Sequence, residues 1–402
     1  MAIHHLPRVA TMTLIVASTQ SFAQNTCPSS SYLGTLTPTV SDPSAELIYE
    51  NIAIDGTSAY LSSSYFDQGQ GISFYTLHVI DIADPQAPFI IAQPVLNAPP
   101  AAITVTNDIA YIADYQGLRI IDLSQPQQPD QLALYPTPSF AMDVQIVGTK
   151  AYIARRDDGL EIVDISNPES PTHIGEIDLP GDSRSIAVDG DLAYVADEIA
   201  LRVIDISNPT TPALMGSSFT AADAWDLSVD ETGNVYLADR YSGQSVTSSV
   251  RVYDTTSPAT PNQIATLSYG SFGAVRGVHA MGDQLFVVHG SSGLQSLDIT
   301  NPASPQPLGE YDQAQSVNAM IDHSGLLYAT SADDGLIIID PSIDCGPCQA
   351  DFNNDGVLNF FDVSAFLSGF NAQDAQADLT GDGIHNFFDV SAFLNLFNAG
   401  CP

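Results

Sequence analysis

The sequence predicts an all-β fold, a seven-bladed β-propeller whose N-terminal strand closes the last blade, on three observations. First, a strand followed by a turn, written most fully as GLEIVDISNPESP at 159–171, recurs seven times. Its aspartates, Asp81, Asp122, Asp164, Asp205, Asp254, Asp298 and Asp340, stand 41, 42, 41, 49, 44 and 42 residues apart. A fixed period of this length marks a repeat in which each unit needs its neighbours to cover its faces. Second, every copy holds four short apolar or alternating runs broken by Gly, Asn, Asp and Pro, which are strand and turn signals. In the third copy these are 142–148, 150–155, 160–166 and 172–179. Third, the last copy stops at Cys345 without an outer strand, and an unassigned segment at 31–38, SYLGTLTP, supplies one.

Taken in order, residues 1–23 read as a signal peptide. Arg8 precedes the apolar run VATMTLIVAS, and Ser21 and Ala23 provide the small residues of a cleavage site, so the mature chain is expected to begin at Gln24. No later stretch has 18 uninterrupted apolar residues. The repeats then fill 24–344. In each, the Asn or Ser of the SNPxxP turn bonds its own backbone and the first proline, Pro168 or Pro209, presets the dihedral. The aspartate ahead of the turn recurs in every copy, which assigns it to the scaffold rather than to chemistry. Two copies carry excursions, 62–76 and 240–249, where a recognition surface is expected first.

The four cysteines, Cys27, Cys345, Cys348 and Cys401, are an even number in an exported chain, which predicts two disulfides with three possible connectivities. In complete copies the outer-strand glycine follows the repeated aspartate by 11 residues, as from Asp164 to Gly175. Placing Gly34 there brings Cys27 beside the chain at Cys345, so a clasp from Cys27 to Cys345 or Cys348 is expected. A bridge from Cys348 to Cys401 would fasten the ends of the C-terminal module.

That module, 345–402, has a different composition. Residues 351–362, DFNNDGVLNFFD, return at 378–389 as DLTGDGIHNFFD, each followed by an apolar helix, VSAFLSGF or VSAFLNLF. Calcium takes six to eight oxygen ligands, and a 12-residue loop presents them from positions 1, 3, 5, 7, 9 and 12 around a glycine at 6. The first loop offers Asp351, Asn353, Asp355, the Val357 carbonyl, Asn359 and Asp362. The second offers Asp378, Thr380, Asp382, the Ile384 carbonyl, Asn386 and Asp389. Two calcium ions are the expected cofactors.

This duplicated pattern resembles the dockerin domain, specifically the short cysteine-flanked kind at the C-termini of secreted bacterial proteins that share the NFFDVSAFL motif. The resemblance implies two EF-hand-like half-motifs, antiparallel helices and a cohesin-like partner met through the residues after position 9, here Phe360, Phe361, Phe387 and Phe388. Phe366 and Phe393 are expected in the core of the helix pair. The blades, over 46–344, likewise look like the LVIVD-repeat propellers of bacterial surface and secreted proteins, through GLEIVDISNP, GLRIIDLSQP, ALRVIDISNP and GLIIIDP.

Charge narrows the function. With 47 Asp and Glu against 10 Lys and Arg, a formal net charge of -37 repels nucleic-acid phosphates and anionic lipid. His279, His289 and His323, with His78 and His173, show no metal-centre spacing, and no GxSxG elbow is present. Arg155, Arg156 and Arg276 interrupt the repeat and are assigned to salt bridges, while Asp114, Asp197 and Asp239 recur at one strand end as architecture. No catalytic residue is assigned. The expected function is a secreted, non-catalytic binding or display protein whose calcium-dependent module attaches it to a cell-surface or extracellular partner. The alternative is a propeller hydrolase or lyase, directed at polysaccharide, carried by the same module.

Overall fold

The structure is a computed structural model that describes residues 32–36, 47–67, 71–240, 248–269, 275–289, 293–311, 314, 316–332, 334–342, 350, 352–353, 359–379 and 383–399. The strands are β1 (Tyr32–Leu36), β2 (Leu47–Asp55), β3 (Ser58–Asp67), β4 (Ile72–Asp81), β5 (Phe89–Ala92), β6 (Val95–Leu96), β7 (Pro100–Thr106), β8 (Ile109–Asp114), β9 (Gly117–Asp122), β10 (Asp130–Pro136), β11 (Ala141–Val147), β12 (Lys150–Arg155), β13 (Gly159–Asp164) and β14 (Thr172–Ile177). They continue as β15 (Ser183–Asp189), β16 (Leu192–Asp205), β17 (Ala213–Val229), β18 (Asn234–Arg240), β19 (Ser249–Asp254), β20 (Asn262–Ser268), β21 (Val275–Met281), β22 (Gln284–His289), β23 (Leu294–Asp298), β24 (Gln306–Tyr311), β25 (Val317–His323), β26 (Leu326–Ser331) and β27 (Gly335–Ile339). Two helices follow, α1 (Phe360–Ala372) and α2 (Phe387–Ala399).

The seven separate blades of a closed propeller expected from the sequence are corrected here. The strands form six antiparallel sheets, β2-β3-β4-β5 with β6 beside β4, β10-β9-β8-β7, β11-β12-β13-β14, a six-stranded β15-β16-β17-β18-β19-β20, β21-β22-β23-β24, and β1-β27-β26-β25. No sheet is closed or curled on itself. The large sheet has a local cause. Other repeats turn from second to third strand on a glycine, Gly117, Gly159 or Gly335, but the fourth has ADEIAL at that place. There β16 runs unbroken through Glu198, which sits at φ 35° and pairs with Ala224 of β17, so two repeats share one ladder.

Buried faces hold the sheets together. The third-strand runs such as Leu118–Ile121 and Leu160–Val163 are apolar on both faces apart from one polar residue, because a neighbouring sheet covers each face. The first and second sheets meet through Tyr60, Val79, Ile103 and Ile112, and the last and first through Tyr328, Ile338, Leu61 and Ile80. The repeated aspartates do what the sequence assigns them. Asp81, Asp122, Asp164, Asp205, Asp254, Asp298 and Asp340 each accept the backbone N–H two residues on, at 2.8 to 2.9 Å. That bond holds the corner and lowers the Asp164 carboxyl through the Ser166 N–H.

One irregularity recurs in every first strand. The ladder slips by one residue, between Tyr49 and Asn51, Pro100 and Ala102, Ala141 and Asp143, Ser183 and Ser185, Ala224 and Asp226, Val275 and Gly277, and Val317 and Ala319. A β-bulge adds one unpaired residue and re-aims its side chain, and it is a common device beside functional sites. The bulged residues are Glu50, Ala101, Met142, Arg184, Trp225, Arg276 and Asn318. A scaffold position would repeat; this one does not.

Residues 1–31 lie outside the described residues, as do all four cysteines, so neither disulfide expectation is carried into the structure. Among the described residues no helix is long and apolar enough to cross a membrane.

Candidate functional site

The first strands contact one another through side chains instead of a backbone ladder. Asp55 accepts the Asp108 N–H at 3.1 Å, Thr104 donates to the Val144 carbonyl at 2.7 Å, and Asp143 accepts the Ile186 N–H at 2.8 Å. Asp226 then accepts from the Ser185 hydroxyl and the Val278 N–H, both at 3.0 Å. Arg276 reaches Asn318 at 3.4 Å, His279 meets Asp322 at 2.8 Å, and Asn318 donates to the Tyr49 carbonyl at 2.7 Å. Each first strand is thereby tied to the next and the last to the first.

The strands surround a cavity of about 300 Å³ at their bulged ends, into which Met142, Arg184, Trp225, Arg276 and Asn318 project, with Asp143 and Asp226 deeper. The guanidinium of Arg184 lies 4.5 Å from the Trp225 ring centroid and that of Arg240 lies 4.3 Å from it. Both are cation–π distances. Burial, then the charges of Arg276 and Arg184, holds the Arg240 guanidinium below its usual value. Arg156 and Arg184 share one carboxylate, Asp182, each at 3.2 Å. Among the described residues neither Arg240 nor Arg276 has a carboxylate within ion-pair distance. Arg156 therefore forms the salt bridge that the sequence assigns it, and Arg276 does not.

Asp143 keeps part of its surface toward the cavity while protein surrounds its carboxyl. That desolvation, reinforced by Asp226, pushes it up to about 6; burial also raises Asp226. A raised carboxyl favours folding while it is protonated, so this contribution is present below pH ~4 and is lost as the pH climbs through 6. The stability of the wild type relative to Asp143→Asn should accordingly fall by on the order of 2 kcal/mol between pH 4 and pH 7.5, read as the change in the gap between their melting curves. A gap independent of pH would place the titration elsewhere.

A second cluster lies on the third sheet. Glu161, His173 and Glu176 bring their ligand atoms within 4.8 Å of one another, an arrangement that can coordinate a divalent cation. Arg155 already stands between the carboxylates, 3.2 Å from Glu161 and 2.8 Å from Glu176, and Tyr135 donates to Glu161 at 2.6 Å. A cation there has to displace a guanidinium.

In the C-terminal module Asp351, Asp355, Val357, Thr380 and Asp382 lie outside the described residues. Four of the others, Asn359, Asp362, Asn386 and Asp389, cap helices. Asn359 accepts the Phe361 N–H at 2.7 Å and Asp362 accepts the Asn359 N–H at 2.8 Å, a reciprocal capping box. Asn386 and Asp389 repeat it at α2, both at 2.8 Å, and Asn386 also donates to the Ile384 carbonyl at 2.9 Å. Asp378 accepts from Gly383, while Asn353 is exposed. Phe366 and Phe393 stack at 4.1 Å in the module's core. Phe360, Phe361, Phe387 and Phe388 are 69 to 76% exposed, an aromatic cluster available for protein contact.

The LVIVD repeat is present. It matches residues 101–137, 140–178, 180–220 and 272–313. No dockerin or EF-hand motif is evident, so that resemblance is corrected: Asn359, Asp362, Asn386 and Asp389 serve as helix caps, and the LVIVD repeat is the motif that the chain carries. No curated protein matches the chain. Among solved structures, the computationally designed Ika8 protein is 11% identical at a TM-score of 0.54, covering 77% of this chain and 99% of that one. BamB from Moraxella catarrhalis is 16% identical at a TM-score of 0.46, covering 73% and 82%. The likeness to Ika8 is one of fold alone.

Sequence reasoning missed Arg184, Trp225 and Arg240. A signal was there: Trp225 is the one tryptophan in the chain, and it stands at the same place in its strand as Arg184 and Arg276.

Proposed function

We propose that this chain is a non-catalytic binding protein exported to the cell exterior, whose β repeats carry a ligand surface and whose C-terminal helices fasten it to another protein. The observation that carries this reading is the four exposed phenylalanines, placed identically on the first turns of α1 and α2. Exposed aromatics with few conformers to lose make effective anchors. The leader-like residues 1–23 support export. Binding is favoured over hydrolysis or lyase chemistry because the two carboxyls lining the cavity, Asp143 and Asp226, are each anchored by protein N–H and O–H donors, which suits them as fixed acceptors rather than as groups that shuttle a proton.

Loops 351–362 and 378–389 bind one calcium ion each in this reading. Their donors are all oxygens, with Asp362 and Asp389 buried at the loop ends. The ion would neutralise carboxylates that otherwise repel one another, and so stabilise the helix pair.

Affinity capture from the envelope fraction of the source cells tests the reading. The intact protein should retain a protein partner that is lost on changing Phe360, Phe361, Phe387 and Phe388 to alanine and on adding chelator. A partner kept by the fourfold variant would move recognition to the sheets, and melting unchanged by chelator would remove calcium from the account.

A further inference from the structure

The bulged positions make one side of the cavity mouth basic in an acidic protein. Arg184 and Arg276 line it, Arg240 lies close enough to feel the charges of both, and Arg156 joins Arg184 on Asp182, so that four of the nine arginines in the chain stand near two carboxylates, Asp182 and Asp223. Like charges in close company are costly, and a chain with 47 acidic residues has ample means to pair them. Here the compensation is Trp225, whose indole holds two guanidiniums by its π-system. The forks are thus fixed in place with donors to spare: the Nε of Arg184 is buried without a hydrogen-bond partner among the described residues, and Arg276 is exposed beside the cavity. Guanidinium forks of this kind match planar oxyanions through paired N–H bonds.

The floor differs from the rim. Asp143 and Asp226 face the cavity with carboxylate oxygens that have lone pairs beyond those used by Val144, Ile186, Ser185 and Val278. A cationic rim over an acceptor floor selects a ligand with an anionic group at one end and hydroxyl donors at the other. The volume of about 300 Å³ lies at the small end of ligand pockets, room for one or two sugar rings.

We propose that Arg184 and Arg276, which line the cavity beside Trp225, with Arg240 behind the indole adding its charge, bind the carboxylate of a small hydroxylated acid such as a uronic acid, whose hydroxyls donate to Asp143 and Asp226. The site goes beyond the attachment reading and rests on different residues, so the two stand or fall separately.

Because Trp225 is the one tryptophan in the chain, its emission reports on this site directly. The full-length protein, excited at the red edge to spare tyrosine, is titrated at constant ionic strength with glucuronate, galacturonate, glucose, glutamate and sulfate. The uronates should change the emission saturably, glucose should not, and sulfate and glutamate should bind at least about tenfold more weakly for want of matching hydroxyls. Arg276→Ala and Arg240→Ala should each weaken the uronate by about tenfold or more while circular dichroism shows both variants folded. A uronate response no stronger than that of sulfate, or equal in the variants, would overturn the site. Tighter binding of glutamate would overturn the hydroxylated acid as its ligand. If the emission is silent, calorimetry with the uronates decides, and absence of heat overturns the proposal.

Discussion

Arg202→Ala should destabilise the protein by about 3–5 kcal/mol, seen as a large fall in the denaturant midpoint, because it strands a buried charge. Asp197 is fully buried, and Arg202 Nε lies 2.7 Å from its carboxylate. After truncation Asp197 would keep only the Gly181 N–H at 3.1 Å and the Ser183 hydroxyl at 3.4 Å. Neither supplies a countercharge. The arrangement is a repeat feature: Asp114 with Arg119 and Asp239 with Arg251 occupy the same places in their sheets.

The third sheet reverses the pair, and the reversal refines the prediction. Arg155 stands where the others have aspartate and Glu161 where they have arginine, on the same registers, Arg155 opposite Gly159 and Glu161 opposite Ile153. A native chain therefore tolerates either polarity. The double variant Asp197→Arg with Arg202→Glu should recover part of the loss in Arg202→Ala. Full recovery is not expected, since Arg155 also has Glu176, and Glu161 has Tyr135 and His173. A reversed pair no more stable than Arg202→Ala would mean that surrounding dipoles, not the pair itself, fix the polarity.

These pairs illustrate what can be read from sequence and what cannot. The turn aspartates were legible because one local cause, an acceptor two residues before a free N–H, acts in every copy. Arg155 was legible as half of an ion pair because it broke a pattern in a chain poor in cations. The shared six-stranded sheet was not, since it depends on the missing glycine near Glu198 and on Ala224 being within reach across the sheet. The arginine rim was hidden for a related reason. Arg184, Arg240 and Trp225 are scattered over 57 positions, and the bulges that aim two of them into one cavity are created by strand pairing. Residues 351–362 and 378–389 show the converse: spacing alone points to calcium ligands, whereas Asn359, Asp362, Asn386 and Asp389 also meet the requirements of helix caps.

Gly216→Val should cost about 3 kcal/mol or more, at the upper end of overpacking effects, and Gly216→Ala distinctly less. Gly216 lies on the outer part of β17, where a Cβ would overlap the Pro258 carbonyl oxygen and come within 2.8 Å of the Ala259 carbonyl carbon. Those atoms belong to the proline turn of the next repeat, and backbone cannot swing aside as a flexible side chain can. Gly175 meets Pro209 and Gly34 meets Pro85 in the same way, so the contact joins successive repeats and also the last to the first. Ala92, Ala133 and Ala265 hold the corresponding places in three other repeats, which bounds the tolerance at one methyl group. Gly190→Ala separates this from a purely conformational effect. That residue has φ 56° in a turn where an added methyl would meet nothing within 4 Å, so the change should cost roughly 1 kcal/mol, and valine there should add only a modest further penalty. A steep rise from alanine to valine at 216 with a shallow one at 190 would identify close approach between repeats as the constraint. Parallel behaviour at the two sites would reject it.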